Sequence, residues 1–275
     1  MKQQRNETFV DRTSLSGNKV PGLFDLRQAE NWSRHGFLQC DGLIPDRYRD
    51  MINSWVDEIA AYPDAGGNWE HAREETAEGP KLCRTERFLD AHNAMRTWIA
   101  EGPIKDMASR LLGEEAVLFK EKINYKLPGG AGFAPHQDAP AYPLGKQHVT
   151  CLIQVDDMTL ENGCLEFALN HPAGFLERDD KGCVPDHLAS QLRWVPGELE
   201  RNCCLFFSSF APHRSATNTS RHARRGIFLT YNGISDGNIR EAYYSRRKAY
   251  LKGEKENSHN EISMISDFQG KIITN

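Results

Sequence analysis

The feature that most limits how this chain can fold is a change of texture at Gly113: before it apolar residues recur at helical steps, and after it they come in short runs broken by turn residues. The stretch from Phe24 to Tyr62 reads as helical, with Phe37 and Leu38 leading into LIPDRYRDMINSWVDEIAAY. There Met51, Ile52, Trp55, Val56 and Ile59 lie three or four residues apart, Pro45 suits a first turn and Pro63 stops the run. A glycine-bearing, charge-rich loop is expected over residues 63–80. A second helical pair follows over residues 93–112, with Trp98, Ile99, Ile104, Met107, Leu111 and Leu112 on its buried side. Beyond Gly113 the candidate strands are 116–127, 149–158, 164–168, 193–195, 203–207 and 226–231, punctuated by PGG, ENG, NHP, PGE and NTS. A helix is expected over 241–252. Helices followed by many short strands predict an α+β chain whose strands close into a double-sheet barrel of the jelly-roll kind, with the N-terminal helices packed outside. Residues 1–20 read as a polar, loosely ordered arm and 21–275 as a single domain.

Composition narrows the function classes. The chain has 275 residues, 34 Lys+Arg against 38 Asp+Glu, and 39% hydrophobic residues, enough for a full core. The net charge of −4 gives no sign of nucleic-acid binding, and no apolar run is long enough to span a bilayer. The start, MKQQRNETFVDRTSLSGNKV, lacks the apolar segment of a secretory signal. Seven cysteines, odd in number and without CxxC spacing, suit reduced thiols in a cytoplasmic protein.

The chemistry concentrates in FAPHQDAPAY, where His136 and Asp138 stand two residues apart at the end of a strand. In extended backbone they would point the same way and offer an imidazole nitrogen and a carboxylate oxygen to one point. A second histidine, His213, lies 77 residues on, after the apolar run CCLFF, a spacing that suits ligands from opposite sides of a barrel. Two histidines and one carboxylate on one face of an octahedral ion form the triad of non-haem Fe(II) oxygenases, although the same donors also bind zinc. His71, His92, His148, His171, His187, His222 and His259 read as surface or loop residues, and His35 as a helix end.

An oxygenase of this type needs two further electrons, which a 2-oxo acid chelated to iron can supply. Its far carboxylate then requires a fixed cation. Arg224, eleven residues after His213, with Ser215 two after it, would make a bidentate clamp, and Arg225 is the adjacent alternative on the other face of the strand. From Ala211 to Lys252 there are nine Lys/Arg against two acids, an excess that suggests an anionic substrate, though a solvated basic helix accounts for Arg246, Arg247 and Lys248 equally well. Tyr125, Phe133, Tyr142, Phe207 and Tyr231 are candidates to wall a pocket or to fill core.

Together HQDAPAY, ENGCLEF and PGELERNCCLFFSSFAPHRSATNTSRHARRGIFLTY resemble the phytanoyl-CoA dioxygenase family of Fe(II)- and 2-oxoglutarate-dependent oxygenases, over about residues 35 to 232. The resemblance implies a double-stranded β-helix core, iron on His136, Asp138 and His213, and the distal carboxylate of 2-oxoglutarate on Arg224 and Ser215. It implies that Asn124, and with it Lys122 or Thr150, faces the cosubstrate, that O2 is consumed, and that ascorbate is a candidate stimulant. The carboxylate at Asp138 resembles the hydroxylases rather than the related halogenases. Within the family, the KINYKLPGG and HQDAP runs resemble bacterial members that hydroxylate 2-aminoethylphosphonate beside phosphorus, which makes a small anionic phosphonate the leading expectation. The alternatives are an amino acid or acyl-CoA substrate, a zinc-dependent hydrolase, and a jelly-roll binding protein without activity. Oligomeric state is not legible.

Overall fold

A computed structural model describes residues 26–251 and 267–273. Helix α1 (Leu26–His35) stops at Gly36, whose φ of +70° is the left-handed conformation that ends helices. Strand β1 (Phe37–Cys40) follows, and α2 (Asp46–Ala60) begins directly after Pro45 and buries Ile52, Trp55, Val56 and Ile59. Strands β2 (Glu70–Thr76) and β3 (Gly79–Glu86) form a hairpin turned at Gly79. Helices α3 (Asn93–Ala100) and α4 (Pro103–Leu112) come next, the second closed by Gly113 at φ +77°. Then come β4 (Ala116–Lys126), β5 (Phe133–His136), β6 (His148–Gln154) and β7 (Leu165–Leu169). The short helix α5 (Asp186–Ala189) precedes β8 (Arg193–Pro196), β9 (Cys204–Ser208), β10 (His213–Ser215) and β11 (Arg224–Gly233). Helix α6 (Arg240–Leu251) and β12 (Ile272–Ile273) complete the described elements.

The strands form two antiparallel sheets in the double-stranded β-helix arrangement, one ordered β1-β9-β6-β11-β4-β3-β2-β12 and the other β5-β10-β7-β8. Strand alternation divides the large sheet between two cores. Ile123, Ile227, Leu229, Cys151, Ile153 and Phe206 pack outward against α2, α3 and α4, while Leu152, Leu205, Phe207 and Phe228 pack inward against Leu165, Phe167 and Val195 of the small sheet. The Phe37 and Phe167 rings stack at 4.5 Å and tie the sheets together; burying a ring of this size stabilises the fold by roughly 2–3 kcal/mol. A third cluster gathers Phe119, Tyr142, Ile239, Tyr243 and Tyr244 under α6. The segment 267–273 bridges the sheets at their open side: Phe268 pairs with Phe133 on β5, while Ile272 and Ile273 pair with Glu74 and Arg73 on β2.

Several expectations are corrected. Phe37 and Leu38 lead into no helix but belong to β1, because Gly36 breaks the helix and the free edge of β9 is there to pair with. Residues 63–80 are not all loop: β2 and the start of β3 lie there, polar because one face meets solvent and the other the polar interior. Met51 does not join the helix core and is 42% exposed. His92 and His148 are buried. His92 caps α3 by accepting from the Met95 N–H (3.0 Å), and His148 packs between Phe119 and Tyr142. The polar arm, His259 and Lys252 lie outside the described residues. None of the seven cysteines forms a disulfide, and among the described residues no helix is long and apolar enough to cross a membrane.

Candidate metal centre and anion sites

His136 and His213 are not on opposite sides of the barrel. They stand directly across from each other on the paired strands β5 and β10, their rings 4.2 Å apart. Asp138 lies past the end of β5 in helical backbone (φ −74°, ψ −26°), so the turn, not strand alternation, brings its carboxylate back to the histidines. One ligand atom each of His136, Asp138 and His213 lies within 4.8 Å of the others, and all three residues are buried. Each histidine contacts a backbone carbonyl through Nδ1, His136 with Ala134 (2.7 Å) and His213 with Ala211 (3.0 Å). With Nδ1 so engaged, Nε2 is the atom each ring can offer to an ion, the orientation that metal-binding histidines require, and on His136 that atom is shared with Asp267. The donor set of two imidazoles and one carboxylate fits iron.

A residue the sequence gave no reason to select joins them. Asp267, on the segment that bridges the sheets, places Oδ2 3.0 Å from His136 Nε2. Burial disfavours an imidazolium at His136, but Asp267 and Asp138 outweigh it and raise His136 to about 9. At His213 burial and the neighbouring His136 push the pKa down to about 4.

Across from the triad, β6, β11 and β4 present rows of inward side chains. From one end the rows are Thr150–Thr230–Lys120, Leu152–Phe228–Lys122, Gln154–Gly226–Asn124, and the pair Arg224–Lys126. Arg224 is 2% exposed; its Nε has no partner, and its Nη1 meets only the Met158 sulfur at 3.6 Å. Burial lowers its pKa to about 10, so it remains a guanidinium. A charge desolvated in this way is costly unless an anion completes it. Lys126, which sequence reasoning passed over, stands beside it. Its Nζ donates to Ser215 Oγ (3.0 Å), to the Gly163 carbonyl (3.3 Å) and to the Ala216 carbonyl. Burial and Arg224 push that ammonium down to about 6.

Asn124 accepts from Arg84 Nε at 3.3 Å, and Lys122 Nζ lies 4.9 Å over the Phe228 ring. A cavity lined by Arg84, Asn124, Lys126, Phe133 and Arg224, and closed by Phe268, runs through this end. Of its two guanidiniums Arg84 is paired with Glu86, and Arg224, with no ion pair among the described residues, suits the far carboxylate of 2-oxoglutarate. Thr150 is three rows away, bonded to Thr230 (3.1 Å). Of the aromatic candidates, Phe133 and Phe207 approach the two histidines (ring centroids 6.3 and 5.0 Å) and Tyr142 lies beside Lys120; Tyr125 and Tyr231 belong to the outer core.

The basic excess of the last third is mostly spent elsewhere. Arg225 is held by Asp156 and Asp57, Arg240 by Glu121 and Asp90, Arg247 by Glu70 and Glu86, and Arg214 by both oxygens of Glu166. Arg224 apart, the inward cations come from β3 and β4, which the charge count over residues 211–252 did not cover.

Residues 32–226 match the family model described as phytanoyl-CoA dioxygenase (PhyH). A methylphosphonate hydroxylase of Gimesia maris is 40% identical over 247 residues, 89% of this chain and 95% of that protein. A 2-aminoethylphosphonate dioxygenase of an uncultured bacterium is 38% identical over 242 residues, 85% of this chain and 91% of that protein. Among solved structures, EctD from S. alaskensis, described with 2-oxoglutarate and 5-hydroxyectoine, superposes with a TM-score of 0.64 at 17% identity, covering 85% of this chain and 80% of that one. The α-ketoglutarate-dependent epimerase SnoN of nogalamycin biosynthesis gives 0.61 at 20% identity, covering 76% and 82%. The match across most of the chain and the fold agree: this chain belongs to the phytanoyl-CoA dioxygenase (PhyH) family and is a dioxygenase.

Proposed function

We propose that this chain hydroxylates a small phosphonate at the carbon next to phosphorus, with iron on His136, Asp138 and His213 and 2-oxoglutarate on Arg224. The observation that carries the cosubstrate assignment is the buried Arg224 guanidinium, which has no ion pair among the described residues and stands at the end of the strand rows that face the triad. Identities of 40% and 38% to a methylphosphonate hydroxylase and a 2-aminoethylphosphonate dioxygenase, over most of the chain, support the phosphonate class. Seven cysteines without a disulfide support a reducing, cytoplasmic setting.

With iron bound, the chemistry supplied is oxidation of one C–H to C–OH by O2, the other oxygen atom and two electrons being accounted for as 2-oxoglutarate becomes succinate and CO2. The protein's part is positional. The Ala134 and Ala211 carbonyls fix both imidazoles, and Asp138 completes three donors on one side, so the opposite positions stay open. Arg224, with Ser215 and Lys126 beside it, holds the far carboxylate, and Asn124 and Lys122 line the path between. Phe133, Phe207 and Phe228 exclude water.

The test is incubation with Fe(II), 2-oxoglutarate and O2, with methylphosphonate and 2-aminoethylphosphonate in separate reactions, following succinate and the phosphorus resonance of the product. One of the two should give stoichiometric succinate and hydroxylated product, and His136→Ala or Asp138→Ala should abolish both signals in folded protein. No phosphonate-dependent succinate, or full turnover in both variants, would overturn the reading.

A further inference from the structure

A second buried cation on the inner face lies in the field of Glu86 but makes no ion pair among the described residues. Lys120 is 1% exposed, and among the described residues no carboxylate lies within ion-pair distance of its Nζ. The nearest buried acid on the neighbouring strand, Glu86, is already held by Arg84 (3.2 Å) and Arg247 (3.5 Å). The one hydrogen bond from Lys120 Nζ is long, 3.5 Å to the Tyr142 hydroxyl. Around it the ammonium meets the rings of Tyr142 and Tyr243 at 5.1 and 5.4 Å, and the Tyr243 hydroxyl is buried with no partner. Thr230 and Thr150, bonded to each other, complete the same row.

Position separates this cluster from the cosubstrate clamp. Alternate residues of a strand are about 7 Å apart, so Lys120 lies roughly 20 Å along β4 from Lys126, the neighbour of Arg224. The triad stands opposite the rows between and beside Lys120: Phe207, which pairs with Thr150, touches the His213 ring. Arg224 and Lys120 lie at opposite ends of the rows that face the candidate metal centre, with Lys122 between them, and an anionic cosubstrate seated on Arg224 leaves Lys120 without an anion.

Resting on the reading of the chain as a phosphonate hydroxylase, we propose that Lys120, supported by the Tyr142 and Tyr243 hydroxyls, seats the phosphonate oxygens of the substrate. The chemistry of the two ends suits this division. A planar guanidinium at Arg224 matches a flat carboxylate, whereas an ammonium with hydroxyls arriving from other directions matches a tetrahedral head with three oxygens.

The experiment is calorimetric titration of methylphosphonate, and separately of 2-oxoglutarate, into anaerobic Fe(II)-loaded protein, wild type and Lys120→Gln. Methylphosphonate binding, measured with 2-oxoglutarate present, should weaken about 10- to 100-fold in Lys120→Gln, with 2-oxoglutarate binding within about threefold and Lys120→Arg recovering part of the loss. Tyr243→Phe should weaken methylphosphonate by roughly threefold to tenfold and serves if Lys120→Gln does not fold. Unchanged methylphosphonate affinity in Lys120→Gln, or in Tyr243→Phe where that is the variant used, overturns the seat and leaves the phosphonate reading standing. A wild-type protein that binds 2-oxoglutarate but neither methylphosphonate nor 2-aminoethylphosphonate overturns that reading, and the seat with it.

Discussion

The two faces of strands β4 and β11 treat charge in opposite ways. Outward, Glu121 of β4 is met by Arg240 and Arg225 of β11 by Asp156 and Asp57, so each charge has a partner inside the protein. Inward, one residue away in each case, Lys120 and Arg224 are buried without a carboxylate. The same two strands thus carry a self-sufficient charge network on one side and an incomplete one on the other. Paired charges hold the fold, and the unpaired ones mark where something else must bind.

The sharpest way to break that comparison is on the paired side. Arg240→Ala strips the partner from Glu121, which is fully buried, and should cost about 3–5 kcal/mol of stability in urea unfolding, with KM for 2-oxoglutarate unchanged in the folded fraction. The unpaired side should respond in reverse. Arg224→Leu should raise KM for 2-oxoglutarate by about 100-fold, yet leave the melting temperature equal or higher, because it removes a desolvated charge that has no ion pair among the described residues. A marked loss of stability in Arg224→Leu would mean that its charge is satisfied internally after all.

Glu86 sharpens the picture from between the faces. Burial would raise its carboxyl, but Arg247, Lys120 and Arg84 hold it down to about 2. Because the folded value lies below the ordinary one of 4.5, its stabilisation is fully present above pH 4.5 and is lost as pH falls toward 2. The stability gap between wild type and Glu86→Gln, at most about 3 kcal/mol, should therefore be flat from pH 7 to 5 and shrink below 4.5. The smallest effect is expected at Arg214, whose pairing with Glu166 is 35% and 19% exposed: Arg214→Ala should cost under about 1 kcal/mol.

Where the sequence was legible, a local signal carried the reading. Trp55, Val56 and Ile59 announce α2 by their spacing, and Gly113 marks the true end of α4. His136, Asp138 and His213 could be chosen as candidate ligands from residue type and neighbouring motif, and the structure brings them together. What stayed hidden depends on partners distant in the chain. Strand β1 exists because β9, far along the sequence, offers it an edge. Strand β2 and the first residues of β3 fell in the loop expected over 63–80, and the rest of β3 drew no assignment, because the hairpin is polar on both faces and the usual alternation of apolar and polar residues is missing. Asp267 stands far from either histidine in sequence, and Lys120, on a strand expected over 116–127 whose Lys122 and Asn124 were singled out, carried no motif of its own until the register put it on their face.

The segment 267–273 closes the cavity beside Arg224 with Phe268 and Ile272, and it also pairs with β5 of one sheet and β2 of the other. Both strands would otherwise present open backbone donors and acceptors at the seam, the kind of edge that recruits another copy of a chain. One short stretch therefore serves as gasket and as selvedge. Cutting it away would leave a protein that both leaks at its active site and sticks to itself.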